Sequence, residues 1–284
     1  MQILSWNIAG LRAQLKKESF HYFLSANNFS IVCLQETKAE ESQVILTDEI
    51  MKKYPFRFWN SSKGTTQKKG FSGTTIWSVV EPVKTIVPEF DEEGRIIALI
   101  YEKFVLINVY VPNSQKLDCS RYHFREEWNK NFSEFIKELH EYWKREIIIC
   151  GDFNVAHLDI DISNPKSKKN KVPGFFDNER IDFAYLLKLN DLNDIFRTLN
   201  PETQKSTYWS NFLKADRTQK NGWGIDYFLC TDEMLKLVTD CKIVMEQMGS
   251  DHCPLILEFN ISQDLELNKN LENDLESKLK IDKK

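Results

Sequence analysis

Glu146-Ile147-Ile148-Ile149-Cys150-Gly151-Asp152-Phe153-Asn154 is a short apolar run that closes on a glycine, a carboxylate and an amide. Runs of β-branched and apolar residues of this length read as buried strands. A charge inside such a strand carries a large desolvation cost, so Asp152 belongs where the strand emerges. A second segment ends the same way: Ser30-Ile31-Val32-Cys33-Leu34-Gln35-Glu36-Thr37-Lys38. Clefts at strand ends gather catalytic groups. Asn7, after the opening strand, and Ser250-Asp251-His252 add an amide, a carboxylate and an imidazole. This inventory suits a hard metal ion and phosphate chemistry.

Working outward, the pattern predicts a strand at 3–7, a helix over 11–26, a strand at 31–36 and a helix over 42–53. Extended segments follow at 56–60, 74–80, 95–101 and 104–110, the last two joined by Glu102-Lys103 as a hairpin. Tyr122, Phe124, Trp128, Phe132, Phe135, Ile136 and Leu139 recur at helical spacing within 118–143. Then come a strand at 147–152, a helix over 178–189, and strands near 207–210, 225–230, 242–246 and 255–260. Hairpins mixed with helices argue for an α/β (α+β) fold of antiparallel or mixed sheets covered by helices. Both halves supply carboxylates and no linker divides them, so 1–260 reads as one domain with a shared cleft. Residues 261–284 alternate acids and lysines, with Leu271, Leu275 and Leu279 four apart, and read as a solvated, partly disordered tail.

The chain has 284 residues, 42% of them hydrophobic, enough for a large core. Its 38 basic and 42 acidic residues give a formal charge of −4, so whole-chain charge does not mark a nucleic-acid binder. Six cysteines without a CxxC pair argue against a zinc site and for free thiols in a reduced compartment. No leader and no membrane-spanning run is read, which predicts a soluble intracellular protein.

Each polar residue has two readings. Glu36 suits Mg²⁺, which needs only one or two carboxylates, or pairs on the surface with Lys38. Asp152 and Asn154 point the same way on extended backbone and would handle a water or a phosphate; otherwise they form an Asx-turn. Asp251 and His252, as strand neighbours, face opposite sides, so the imidazole needs another acid, and Asp226 in its strand is the candidate. Otherwise His252 is a hydrogen-bonded core histidine. Tyr110 packs beside Pro112 or donates its hydroxyl to a phosphate. Three loops carry lysines or arginines: Lys63, Lys68 and Lys69; Lys166, Lys168, Lys169 and Lys171; Lys214, Arg217 and Lys220. They are solvated surface or phosphate contacts. Trp223, between two glycines on a flexible loop, is a packing anchor or a stacking platform.

Eight segments in order resemble the exonuclease III / apurinic-apyrimidinic endonuclease family. They are Leu4-Ser5-Trp6-Asn7-Ile8 with Gly10-Leu11-Arg12; Leu34-Gln35-Glu36-Thr37-Lys38; Lys69-Gly70-Phe71-Ser72-Gly73-Thr74; Asn108-Val109-Tyr110-Val111-Pro112-Asn113; Gly151-Asp152-Phe153-Asn154-Val155-Ala156-His157; Asp161-Ile162-Ser163-Asn164-Pro165-Lys166; Gly222-Trp223 with Asp226-Tyr227-Phe228; and Gly249-Ser250-Asp251-His252-Cys253-Pro254.

The resemblance implies a DNase I-like four-layer α/β sandwich, with two mixed, mostly antiparallel sheets face to face and helices outside. It implies a monomeric DNA-repair enzyme that cleaves duplex DNA 5′ to abasic sites, cleans blocked 3′ ends and degrades duplex DNA 3′→5′. Mg²⁺, with Mn²⁺ able to substitute, would sit on Glu36 with Asn7 and Asp251 close by and Asp152, Asn154 and His252 around it. Asp152 and Asn154 would manage the attacking water. Tyr110 and the His252–Asp226 pair would steady the phosphate. Arg12, Lys68, Lys69, Asn113 and Trp223 would meet the DNA. The chain departs from the family at Ala9, where Asp or Asn is usual, and at Gly224, where Arg often follows the tryptophan. These departures keep two rivals open: a mainly 3′→5′ exonuclease or 3′-phosphatase, and a DNA-binding protein whose catalysis has decayed.

Overall fold

The computed structural model describes residues 1–65, 67–210, 217 and 221–260. Residues 261–284, read as a solvated tail, and Lys214 and Lys220 lie outside the described residues.

Twelve strands form two six-stranded sheets among the described residues. The first sheet has the order β11(Val238–Ile243), β12(Leu255–Phe259), β1(Gln2–Asn7), β2(Ile31–Gln35), β4(Thr74–Ser78), β3(Phe56–Asn60). The second has the order β5(Lys84–Ile86), β6(Ile96–Ile100), β7(Phe104–Tyr110), β8(Glu146–Asp152), β10(Asp226–Thr231), β9(Leu192–Asp194). Each sheet contains one parallel pair, β1–β2 and β7–β8, and the other pairings are antiparallel.

The long apolar runs of β1, β2 and β8 follow from burial on both faces. Ile3, Ile31, Cys33, Ile148 and Cys150 point between the sheets. Their neighbours Leu4, Val32 and Leu34 face α1(Leu11–Gln14), α2(Glu18–Ala26) and α3(Asp48–Lys53). On the opposite outer face Ile147 and Ile149 meet Trp128, Phe132 and Ile136 of α4(Ser120–Trp143), and Phe183 and Leu186 of α6(Asp177–Leu189). Helix, sheet, sheet, helix is the expected four-layer sandwich. The shorter helices are α5(Pro165–Lys168), α7(Ile195–Leu199) and α8(Asp232–Leu235).

Several predicted elements differ in extent. The helix expected over 11–26 breaks between Leu15 and Lys17: the Gln14 side chain turns inward to donate to Ile8 O at 2.8 Å and Gly249 O at 2.7 Å. The chain then restarts at an angle that lays Phe20 and Phe23 on Trp6. The helix expected over 42–53 is a single 3₁₀ turn, Glu41–Gln43, followed by α3, whose N-cap Thr47 accepts from Ile50 N. The strand expected near 207–210 reduces to bridges from Tyr208 to Trp223 and His252. Edge strands β5 and β9 and helix α7 were absent from the sequence reading.

Parallel pairing has a consequence for the site. It places the C-terminal exits of β1 and β2 side by side, with Asn7 level with Gln35, and those of β7 and β8 side by side, with Tyr110 level with Asp152. The two exits meet at one rim of the sandwich. Beneath it Gln35 Nε2 donates to Asn108 Oδ1 at 2.7 Å, tying the sheets together.

Candidate active site

Each exit bends sharply. Ala9, Glu36, Lys38 and Asn154 all adopt positive φ, between 49° and 56°. Near the end of β8 the chain also requires Gly151, at φ 143°, because a Cβ there would lie 1.8 Å from Val109 O. Asp152 is thereby pressed against β7 and buried.

The Asp152 carboxylate is the hub. Its Oδ2 accepts from Asn7 Nδ2 at 2.9 Å, across the two sheets, and its Oδ1 accepts from Asn154 N at 2.8 Å. Asn154 is left-handed, so the two side chains converge through an Asx-type turn and not through strand alternation as expected. Asn154 Nδ2 donates to Val111 O at 2.9 Å, and Asn113 Nδ2 donates to Asn154 Oδ1 at 3.0 Å.

His252 Nδ1 shares a hydrogen bond of 2.8 Å with Asp226 Oδ2, and its Nε2 lies 3.8 Å from Asp152 Oδ2. Asp226 stands directly opposite Asp152 in the β10–β8 ladder. Burial alone would lower the imidazole, but the Asp226 and Asp152 carboxylates overcome it and hold it up to about 10. Burial pushes Asp152 up to about 7; the nearby imidazolium opposes this and Asp226 adds to it. The side chain of Asp251 takes a different partner, accepting from Ser250 Oγ at 3.2 Å.

Glu36 Oε1 lies 2.6 Å from the Lys38 ammonium, the surface pairing that the sequence left open. Glu36, Lys38, Tyr110, Arg12, Lys68 and Lys69 line one open cleft of ≈ 470 Å³. Burial, with Glu36 and Asp152 nearby, pushes the Tyr110 hydroxyl well up, and Arg95 sits over its ring at 4.5 Å. Asn7, Glu36, Tyr110, Asp152, Asn154, Asp226 and His252 therefore form one continuous polar wall.

Two expectations change. Trp223 is not a ring on a free loop: it bridges Ile162 and Tyr208, and the Lys168 ammonium lies 4.9 Å from its centroid. Arg217, in a loop open to reading as solvated surface or as phosphate contacts, instead donates its guanidinium to four backbone carbonyls. Sequence reasoning also missed Arg125, buried in α4, which donates to Asn154 O at 2.8 Å and Phe153 O at 3.0 Å. Its signal was an arginine in helical register with Trp128, Phe132 and Ile136, on the face meant for the core.

The donor set suits a hard divalent cation. Asp152, Asp226 and His252 offer ligand atoms within 4.8 Å of one another. His252 Nδ1 and Asp226 are joined by their own hydrogen bond, however, and a hard ion prefers oxygen donors over that imidazole.

Comparison with known proteins adds a lineage. The chain is 38% identical over 265 residues to an exodeoxyribonuclease of Bacillus subtilis, covering 92% of this chain and 100% of that one. Among solved structures, an AP endonuclease from Archaeoglobus fulgidus superposes with TM-score 0.80 at 26% identity, over 92% of this chain and 100% of its own. The 3′ phosphatase NExo from Neisseria, bound to a product DNA hairpin, superposes with TM-score 0.80 at 25% identity, over the same 92% and 100%. A family model matches residues 4–252, nearly all of the described chain, and the protein belongs to the endonuclease/exonuclease/phosphatase family.

Proposed function

We propose that this chain is a Mg²⁺-dependent DNA-repair nuclease, monomeric and intracellular, that hydrolyses the phosphodiester 5′ to abasic sites in duplex DNA and clears blocked 3′ ends. The observation that carries this reading is the polar wall running from Glu36 through Asp152 to His252, beside a cleft lined by Arg12, Lys68 and Lys69.

In this reading Asp152 orients the attacking water and draws its proton, with Asn7 and Asn154 fixing the carboxylate. His252, kept cationic by Asp226, offers Nε2–H to the phosphate oxygen as negative charge grows. Tyr110 donates its hydroxyl to the same phosphate, and burial keeps that hydroxyl protonated. Mg²⁺, held by Glu36 with Asn7 and Asp251, would supply Lewis-acid polarisation of the phosphate. Arg12, Lys68 and Lys69 hold the DNA backbone. Trp223 and Asn113 would meet the DNA in this reading.

A second reading, mainly a 3′→5′ exonuclease or 3′-phosphatase, is favoured by Gly224. Gly224 follows the tryptophan where the family often carries arginine, and the Lys168 ammonium stands beside Trp223. A 5′-labelled duplex with one abasic analogue separates the two. A single Mg²⁺-dependent nick supports the first, and a ladder growing from the 3′ end supports the second. Binding without any cut in Mg²⁺ or Mn²⁺ refutes both. Asp152→Asn and His252→Ala should each lower kcat by about 10²–10⁴-fold with DNA affinity preserved, the range set by loss of a proton-transfer or charge-stabilising group. Near-normal turnover in either variant contradicts the assigned roles.

A further inference from the structure

We propose that Arg217 is a positioning residue for hydrolysis, clamping the segment 245–252 so that His252 faces Asp152. The proposal rests on the nuclease reading above. Nη1 of Arg217 donates to Met245 O at 3.0 Å and Gln247 O at 2.6 Å. Nη2 donates to Ser250 O at 2.5 Å and His252 O at 3.0 Å. Four carbonyls from one short segment thus converge on a single planar fork. Carbonyls gathered in a turn need donors, and the segment's own backbone satisfies few of them.

The clamp reaches the imidazole through its own peptide. His252 O also accepts from the Trp6 indole at 3.1 Å, so Trp6 and Arg217 hold that carbonyl together. Ser250 Oγ donates to Asn7 O at 2.8 Å, joining the same segment to the exit of β1. With the peptide fixed, the His252 ring lies 4.8 Å from the Tyr208 ring and meets Asp226. The Arg217 guanidinium itself stacks 5.1 Å from Trp209. With four of its N–H donations directed at the protein, Arg217 is poorly placed to hold a phosphate in addition. Arg125 does the equivalent for the other catalytic loop through Phe153 O and Asn154 O. A lysine, with three donors on a point charge, cannot reproduce the fork.

The test uses the full chain as wild type, Arg217→Ala and Arg217→Lys. Two readouts are taken: kcat and KM on an abasic-analogue duplex and on a 3′-phosphate duplex, and the far-downfield ¹H NMR signal of the His252–Asp226 hydrogen bond, assigned by its loss in Asp226→Asn. Arg217→Ala should lose about 10²-fold in kcat with KM unchanged, the scale of an ångström-level misplacement of catalytic groups. The downfield signal should broaden or vanish, and guanidinium ion should restore part of the rate. Arg217→Lys should fall between wild type and Arg217→Ala. A raised KM at unchanged kcat would make Arg217 a phosphate contact and overturn the proposal. So would an intact signal with unchanged kinetics. Should Arg217→Ala fail to fold, Arg217→Lys carries the same test. If wild type cuts neither duplex, the nuclease reading fails, and the NMR signal alone still decides whether Arg217 positions His252.

Discussion

Ala9 carries more consequence than its size implies. Its N–H donates to Asn7 Oδ1 at 3.1 Å, and its backbone sits at φ 49°. Left-handed backbone costs an alanine about 1–2 kcal/mol, whereas glycine, asparagine and aspartate visit it readily. The position is therefore shaped for the Asp or Asn that the family usually carries there. Ala9→Asp should relieve strain and add an oxygen beside Asn7, lowering the Mg²⁺ concentration that gives half-maximal rate. Ala9→Gly should relieve the same strain without adding a ligand, raising Tm while leaving the Mg²⁺ requirement alone. The pair separates the two effects, and a Mg²⁺ titration unchanged in Ala9→Asp would place residue 9 away from the ion. At this scale much of the candidate site was legible in the sequence: Glu36, Asp152, Asp226 and His252 were visible because a charge next to an apolar strand must lie at its exit or find a partner. Arg125 and Arg217 were not legible as clamps, because their partners are backbone carbonyls, which no side-chain pattern announces.

Among elements, the strands were read well and the helices less so. A strand of β8's kind, covered by a sheet on one face and a helix on the other, is apolar throughout and declares itself. Helices α1 and α2 form one periodic stretch in sequence, and the break follows from Gln14 turning inward to the carbonyls of Ile8 and the distant Gly249. Strand β9 and helix α7 escaped notice because Leu192–Asp194 is only three residues long and the next residue is already helical. Their junction holds a titratable device. Asp194 caps α7, accepting from Arg197 N at 3.0 Å. Burial pushes its carboxyl up to about 7; the Arg197 amide and guanidinium oppose this and Asp161 adds to it. The folded chain therefore keeps a proton that the unfolded chain has already released. Stability from this group is present below the ordinary carboxyl range and is lost as pH rises towards about 7. Asp194→Asn keeps a capping oxygen and has no proton to lose. Its Tm should gain on wild type between about pH 5 and about pH 8, and a Tm difference constant over that range would show that Asp194 does not titrate there.

For the whole molecule, charge is a question of placement. A chain with 38 basic and 42 acidic residues repels a polyanion on average. The cleft reverses this locally: Arg12, Lys38, Lys68 and Lys69 surround Glu36 and Tyr110. Lys38 is engaged by Glu36 at 2.6 Å, and Lys69 approaches Glu40 at only 3.5 Å. Lys68, Lys69 and Arg12 are exposed, with charges available to phosphates. Each phosphate neutralised releases condensed counterions, so affinity should fall steeply with salt despite the acidic total. Removing one cleft cation should flatten the plot of log affinity against log salt by about one unit, weaken binding alike on intact and abasic duplexes, and leave kcat in place. Arg12→Ala, Lys68→Ala and Lys69→Ala, measured by DNA titration at several salt concentrations, test this one cation at a time. A variant that keeps the wild-type slope does not touch a phosphate. One that lowers kcat at an unchanged slope belongs instead to the wall formed by Glu36, Asp152 and His252. In the proposed reading, reach for DNA and chemistry on DNA rest on separate side chains, and the salt slope distinguishes them without knowledge of which end or lesion is cut.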